Sequence, residues 1–280
     1  MQIPTKESLD DVCNVRLPTK FPNHFLTEIL NISLTDIQRE FTEPIDLNIF
    51  NVEYGPHHTH HTQPQDNSNR ITNTLQTTEL SQLKGNTYVP LDIENTIQLF
   101  DNEDTYVTEH NYRIGEYVFG DMLNDNEKFI RPTLTCKRKI DILSGSIKAF
   151  TFLQHHIYYR NYIFVTNGKI KIRLIHPRFL TQCKPDFDLN DMMFRYKDDI
   201  WRLKPEQSKL HKIQFLELEA TQGDVVYIPP FWGYSIQYED KNTFALRIHY
   251  QTIMNMVSNT KEHALSLLQR NNTRVIAKQY

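Results

Sequence analysis

The sequence predicts a mainly β protein: a sandwich or barrel of short strands with flanking helices, an irregular N-terminal arm and a C-terminal helix. Three observations point there. From about residue 140 the chain becomes a series of short alternating or apolar runs separated by turns, the pattern of an all-β domain. Residues 55–87 are rich in His, Thr, Gln, Asn and Ser and offer almost nothing to bury, which predicts a long polar arm. Residues 258–269 place Ala264, Leu265, Leu267 and Leu268 at helical spacing, which predicts an amphipathic helix able to pack on the barrel or on a partner.

Taken in order, Asn23 to Leu30 has apolar residues at helical spacing, and Ser33 to Phe41 reads as a capped helix. The polar arm contains His57-His58-Thr59-His60-His61, and imidazole is a common transition-metal ligand. A flexible polar loop supplies no preorganised geometry and no outer hydrogen bonds to orient the rings, so no metal site is assigned there. Pro90 to Phe100 predicts a short helix, and Asn111 to Phe119 is mixed in pattern. The predicted strands are Ala149–Leu153, Tyr162–Val165, Lys169–Ile175, Gln214–Leu218, Val225–Ile228 and Thr243–Tyr250. No internal repeat is apparent. The resulting division is 1–87 for N-terminal helices and polar arm, 88–252 for the β domain, and 253–280 for the C-terminal helix and tail.

Composition narrows the partners. A net charge of −3 and a pI near 6.5 give no general electrostatic pull toward nucleic acid or an anionic membrane. The short basic clusters, Lys137-Arg138-Lys139 and Lys169/Lys171/Arg173, read as solvated faces. Cys13, Cys136 and Cys183 share no metal-type spacing and make an odd count, which fits a reducing intracellular setting better than a disulfide scaffold. The first residues lack an apolar signal region, and no run approaches the ~20 apolar residues of a membrane helix. The expected location is therefore cytoplasmic or nuclear. Usage leans to Asn, Ile and Lys, with five Ala and eight Gly, as AT-rich codons would give. A protist or a large DNA virus would suit that bias, and with a viral source a virion-associated role follows as an expectation.

Two segments carry a family likeness. The first is His155-His-Ile-Tyr-Tyr-Arg-Asn161, continuing through Gly168 and the strand Lys169–Ile175 to Pro177. The second is Gly223-Asp-Val-Val-Tyr-Ile-Pro-Pro-Phe-Trp-Gly-Tyr234-Ser-Ile236. In this order, over residues 88–252, they resemble the JmjC/cupin-like oxygenases of the asparaginyl-hydroxylase type. That resemblance implies a double-stranded β-helix, Fe(II) and 2-oxoglutarate. In the family the first segment runs His-x-Asp, then Asn, then Gly and a Lys-bearing strand ending in Pro. The second runs Gly-Asp, an apolar strand, Ile-Pro-x-aromatic-Trp-x-His.

The chemical positions implied by the resemblance are degenerate. His155 falls at the first metal ligand, Ile157 at the carboxylate and Tyr234 at the distal histidine. Ile170 falls at the 2-oxoglutarate lysine, and Phe152 where a hydroxyl-bearing residue sits. Such a centre needs two His and one carboxylate on one face of iron, and here one of the three remains. Shifting the register by one would bring in His156 but turn its side chain to the opposite strand face, with Tyr158 at the carboxylate position. A carboxylate from Asp186, Asp188, Asp191 or Glu239 has no spacing to support it.

On Thr243–Tyr250, the residues Thr243, Ala245, Arg247 and His249 share one face, which the family turns into the barrel. Arg247 and His249 therefore line the pocket, either binding a small acid or hydrogen-bonding Tyr234, a carbonyl or a nearby Asp. The leading expectation is a catalytically inactive descendant of the fold, without cofactor, acting as a binding or structural module with a protein partner or as a homo-oligomer. The alternatives are a Fe(II)/2-oxoglutarate protein hydroxylase with substituted ligands and a cupin-type binder of a small acid.

Overall fold

The computed structural model describes residues 5–41, 45–52, 88–181, 183–188, 192–202 and 213–277. The 55–87 arm and its histidine run lie outside the described residues. The chain is mainly β, with two antiparallel sheets and several helices.

The strands are β1 (Thr19–Pro22), β2 (Asp46–Asn51), β3 (Val89–Asp92), β4 (Tyr106–Thr108), β5 (Thr135–Gly145), β6 (Gln154–His156) and β7 (Arg160–Asn167). They continue with β8 (Lys169–Ile175), β9 (Asp186–Asp188), β10 (Met193–Arg195), β11 (Leu216–Thr221), β12 (Asp224–Ile228), β13 (Gly233–Tyr238) and β14 (Phe244–Thr252). The helices are α1 (Lys6–Asn14), α2 (Leu34–Glu40), α3 (Ile93–Asn102), α4 (Tyr112–Asn126), α5 (Pro177–Leu180), α6 (Ile253–Ser258) and α7 (Thr260–Ala277). One sheet has the order β1-β12-β7-β14-β5-β4-β2-β3, the other β11-β8-β13-β6-β10-β9.

Alternation on the long central strands creates two cores. On β14, Phe244, Leu246, Ile248 and Tyr250 join Ile140, Ile142, Tyr162, Phe164 and residues of α1, α3 and α4 in the layer between the large sheet and its helices. Ala245 on the opposite face joins Ile163, Val165, Ile170, Ile172, Leu174, Tyr234 and Ile236 between the two sheets. Both faces of β7 and β14 are thus covered, so these strands are apolar on both sides except at a few positions. Those exceptions build the site. Gly115 lets α4 approach β5 closely, since a Cβ there would stand 2.3 Å from the Ile140 carbonyl oxygen.

Several local expectations match the fold directly. Ser33 caps α2, and Asp36 returns the capping-box bond to the Ser33 N–H at 2.9 Å. β8 has the predicted bounds, and β12 and β14 match their predicted runs to within a residue or two. The predicted helix over Asn23–Leu30 shrinks to a single 3-10 turn, Thr27–Ile29, and just before it the Asn23 side chain accepts the Leu26 N–H and donates to the Leu26 carbonyl. Ala149–Leu153 makes one isolated bridge, Phe150 to Gln237, rather than a strand. The mixed pattern after Asn111 resolves as the fifteen-residue helix α4. The first third is more β than its composition suggests: β1 pairs with β12, and β2 with β3 and β4. Among the described residues no helix is long and apolar enough to cross a membrane.

Candidate functional site

The polar exceptions converge between the sheets. Arg247 on β14 stands opposite Asp141 on β5, and His249 stands opposite Asn161 on β7. From the smaller sheet come Gln154 and His156 on β6 and Tyr234 on β13, with Gln154 and Tyr234 paired in register. Glu109 follows β4. All of these side chains are buried.

Arg247 engages the protein through both terminal nitrogens, while its buried Nε has no hydrogen-bond partner among the described residues. Its Nη2 donates to Asp141 Oδ2 at 2.5 Å and its Nη1 to the Tyr234 hydroxyl at 3.0 Å, with Glu109 Oε2 at 3.6 Å. Asp141 also accepts the backbone N–H groups of His110 at 3.1 Å and Asn111 at 2.6 Å. Glu109 accepts from Tyr88 at 2.6 Å and Gln154 at 3.0 Å, and lies 3.3 Å from His110 Nε2. A buried charge is tolerable when paired and hydrogen-bonded in this way. Burial pushes the Glu109 carboxyl up, but His110, Arg247 and Arg195 outweigh it and hold it well below the usual carboxylate range. Burial disfavours the charged guanidinium of Arg247, yet Tyr234, Asp141, Tyr112 and Glu109 keep it protonated. Tyr234 is pushed up to about 12 by burial despite the pull of Arg247, so at neutral pH it is a phenol.

Beside this network sit two neutral imidazoles. His249 Nδ1 is 2.5 Å from Asn161 Oδ1. Asn161 donates its Nδ2 to the Ile228 carbonyl at 3.1 Å, which turns the amide oxygen toward His249. His249 therefore carries its proton on Nδ1 and a lone pair on Nε2. The His156 ring lies 4.4 Å from that of His249 and 5.8 Å from that of Tyr234, and Tyr158 stacks on His249 at 4.7 Å. Neither nitrogen of His156, nor Nε2 of His249, has a hydrogen-bond partner among the described residues. Burial depresses both imidazoles well below their ordinary range, reinforced by His249 and then Arg247 at His156, and by Arg247 at His249.

The sequence-derived positions separate into two groups. Arg247, His249 and Tyr234 meet in the interior, as the face of β14 predicts. His155 does not join them: the residue beside Tyr234 is His156. The physical reason is strand alternation, because β6 turns Gln154 and His156 inward and His155 outward. His155 stacks on Phe194 at 4.5 Å and bonds the Tyr196 hydroxyl through Nδ1 at 2.8 Å, and burial lowers its pKa to about 4. Ile157 packs with Met192 and Tyr158 against Phe187 and Phe194, away from Tyr234. Ile170 fills the inter-sheet core beside Ile172 and Leu174. Phe152 lies edge-on to Phe50 at 4.6 Å. Asp141 and Glu109 are the residues that sequence reasoning missed. A lone acid in the apolar run Ile140-Asp141-Ile142-Leu143 was the available signal, matching the lone Arg247 in an equally apolar strand.

An iron centre of two histidines and one carboxylate does not fit these residues. His156 and His249 bring imidazoles, but the neighbouring carboxylates Asp141 and Glu109 are engaged with Arg247. No group of three or more His, Cys, Asp or Glu among the described residues could hold a metal ion. At the position implied for the 2-oxoglutarate lysine there is hydrocarbon, and the one buried guanidinium nearby is already neutralised.

Fold and site together define a mainly β protein with a buried ionic cluster between two antiparallel sheets. No protein-family model matches the chain, and no curated protein matches it. Among solved structures it is similar to the X-ray structure of E. coli ycfD, with a TM-score of 0.42 and 12% identity over 91% of this chain and 54% of that one. The chain spans about half the length of that solved structure.

Proposed function

We propose that this chain is a non-catalytic JmjC/cupin-like protein that serves as a binding or structural module. The double-stranded β-helix reading is supported by the order in which strands visit the sheets. β5, β7, β12 and β14 lie together in the large sheet, while β6, β8, β11 and β13 lie together in the smaller one. The chain therefore crosses between sheets at β5 to β6, β6 to β7, β7 to β8, and again through β11 to β14. One observation carries the functional part: the Arg247 charge is paired with Asp141 and Glu109, and its Nη1 with Tyr234, where the family would hold substrate and metal. A guanidinium paired with two buried carboxylates has no remaining charge to offer a small acid, and a phenol with a pKa near 12 is a poor ligand.

The reading of a hydroxylase with substituted ligands rests on the unpartnered nitrogens of His156 and His249. One experiment separates the two. Untagged protein is assayed for bound transition metals and for succinate formation from 2-oxoglutarate with added Fe(II). The expected result is no stoichiometric metal and no succinate above the protein-free control. Stoichiometric iron together with succinate would establish the hydroxylase and overturn the non-catalytic reading.

A further inference from the structure

A cleft of about 480 Å³ is lined by the start of β2 and the first two turns of α4. That volume falls within the range of small-molecule sites, roughly 300–1,000 Å³. Two other cavities, beside α2 and beside Trp201, measure about 20 Å³ each, room for a single water. Arg247, His249 and the positions implied for metal and 2-oxoglutarate lie outside the lining of the large cleft.

The two sides of the cleft differ chemically. β2 supplies acceptors: Asp46 and Asn48 are two residues apart on the strand and share one face. Asn48 donates its Nδ2 to the His110 carbonyl at 2.8 Å and its backbone N–H to Asn111 Oδ1 at 2.7 Å. Those bonds fix the side chain and leave its Oδ1 to accept. Asp46 is exposed and has no ion pair among the described residues. It stands opposite Asp92 in the β2–β3 register, where like charges repel across the strand pair. An ammonium bound at Asp46 would offset that repulsion.

α4 supplies the cation. Arg113 is exposed in its first turn, which contains no acidic residue, and it too has no ion pair among the described residues. Ile114 and Tyr117, three apart on the same helix, are neighbours on its surface and with Ile45 give the lining its apolar part. A simple anion in this cleft would meet Asp46, and a simple cation would meet Arg113. A molecule carrying both charges and a hydrocarbon part matches all three features.

We propose that the cleft binds a small zwitterion, a free α-amino acid with an apolar side chain. Its ammonium is held by Asp46 and Asn48 and its carboxylate by Arg113, with its side chain against Ile45, Ile114 and Tyr117. The inference is independent of whether the buried cluster between the sheets has chemistry.

The test is a titration of the isotope-labelled full chain with L-leucine, followed by its amide NMR shifts. Saturable shifts centred on Asn48, Arg113 and Ile114 are expected. N-acetyl-L-leucine lacks the ammonium and L-leucinamide lacks the carboxylate, so each is expected to bind about tenfold more weakly, the cost of one charged hydrogen bond. Arg113→Gln and Asp46→Asn are expected to weaken leucine binding by a similar factor. Lys241→Gln, at an exposed cation outside the cleft, is expected to leave it unchanged. The analogue series is read on the wild-type chain, so it decides the matter even where a variant fails to fold. Absence of saturable shifts in the cleft, or N-acetyl-L-leucine binding as tightly as leucine, would overturn the proposal. So would folded Arg113→Gln and Asp46→Asn variants that keep the wild-type affinity.

Discussion

Arg247 and Asp141 face each other across adjacent strands, both fully buried, joined by a 2.5 Å bond from Nη2 to Oδ2. Each is the lone acidic or basic side chain on the inward face of its strand's central apolar run, and each depends on the other as its partner. Arg247→Met would strand Asp141 without its cation and remove one of the positive groups around Glu109. Removing one partner of a buried pair typically costs about 3–5 kcal/mol. Tyr234→Phe removes only a neutral acceptor and should cost about 1–2 kcal/mol. Urea denaturation of the two variants checks the order, and an Arg247→Met loss no greater than that of Tyr234→Phe would contradict the network.

Stability should fall on mild acidification. His155, His156 and His249 have lowered pKa values in the fold, while the unfolded chain titrates near 6.5. Below 6.5 the unfolded state binds more protons, so unfolding is favoured as pH falls. All three act in the same direction, so stability declines progressively as pH falls below 6.5. The depressed Glu109 carboxyl acts in the same direction lower down, its contribution present above 4.5 and lost as pH drops further. Denaturation midpoints between pH 7.5 and 5.5 read the effect, and His156→Gln should make the profile shallower. A flat profile would place these imidazoles in water.

The inward register of β6 has a direct chemical test. Tyr158 stacks on His249 and neighbours His156, whereas Ile157 packs with Met192 away from Tyr234. Tyr158→Asp combined with Tyr234→His would bring a carboxylate and a second ligand toward His156. That variant is expected to bind Co(II) with a visible ligand-field spectrum. Ile157→Asp with Tyr234→His, the pair that the family spacing suggests, is expected not to bind. The reverse outcome would restore His155 as the inward residue.

Two glycines on α4 should respond with opposite signs. Glycine to alanine in a helix ordinarily gains up to about 1 kcal/mol. At Gly120 the nearest atom to an added Cβ is the end of the half-exposed Glu116 side chain at 3.3 Å, which can shift more readily than backbone, so Gly120→Ala should be neutral or stabilising. At Gly115 the obstacle is the β5 backbone, and Gly115→Ala should cost about 1–3 kcal/mol through overpacking. Thermal melts of the two variants distinguish these outcomes.

The amino-acid sequence by itself determined the longer strands of the second half, β8, β12 and β14 among them, and the apolar composition of their faces. Period-two alternation on β8 and β14 sorts side chains to two faces, and that local rule predicts which side of β14 carries Arg247 and His249. It also determined that the positions implied for metal and 2-oxoglutarate hold Ile157, Tyr234 and Ile170. The tertiary structure decided what sequence spacing could not. A strand as short as β6 has too few residues for its own pattern to set the inward face, so the pairing of Gln154 with Tyr234 chose His156 over His155. Partnering across distance was equally hidden: Asp141 is 106 residues from Arg247, and only sheet register brings them together. The orientation of α7 was settled the same way, since periodicity defines an apolar face but not what that face meets.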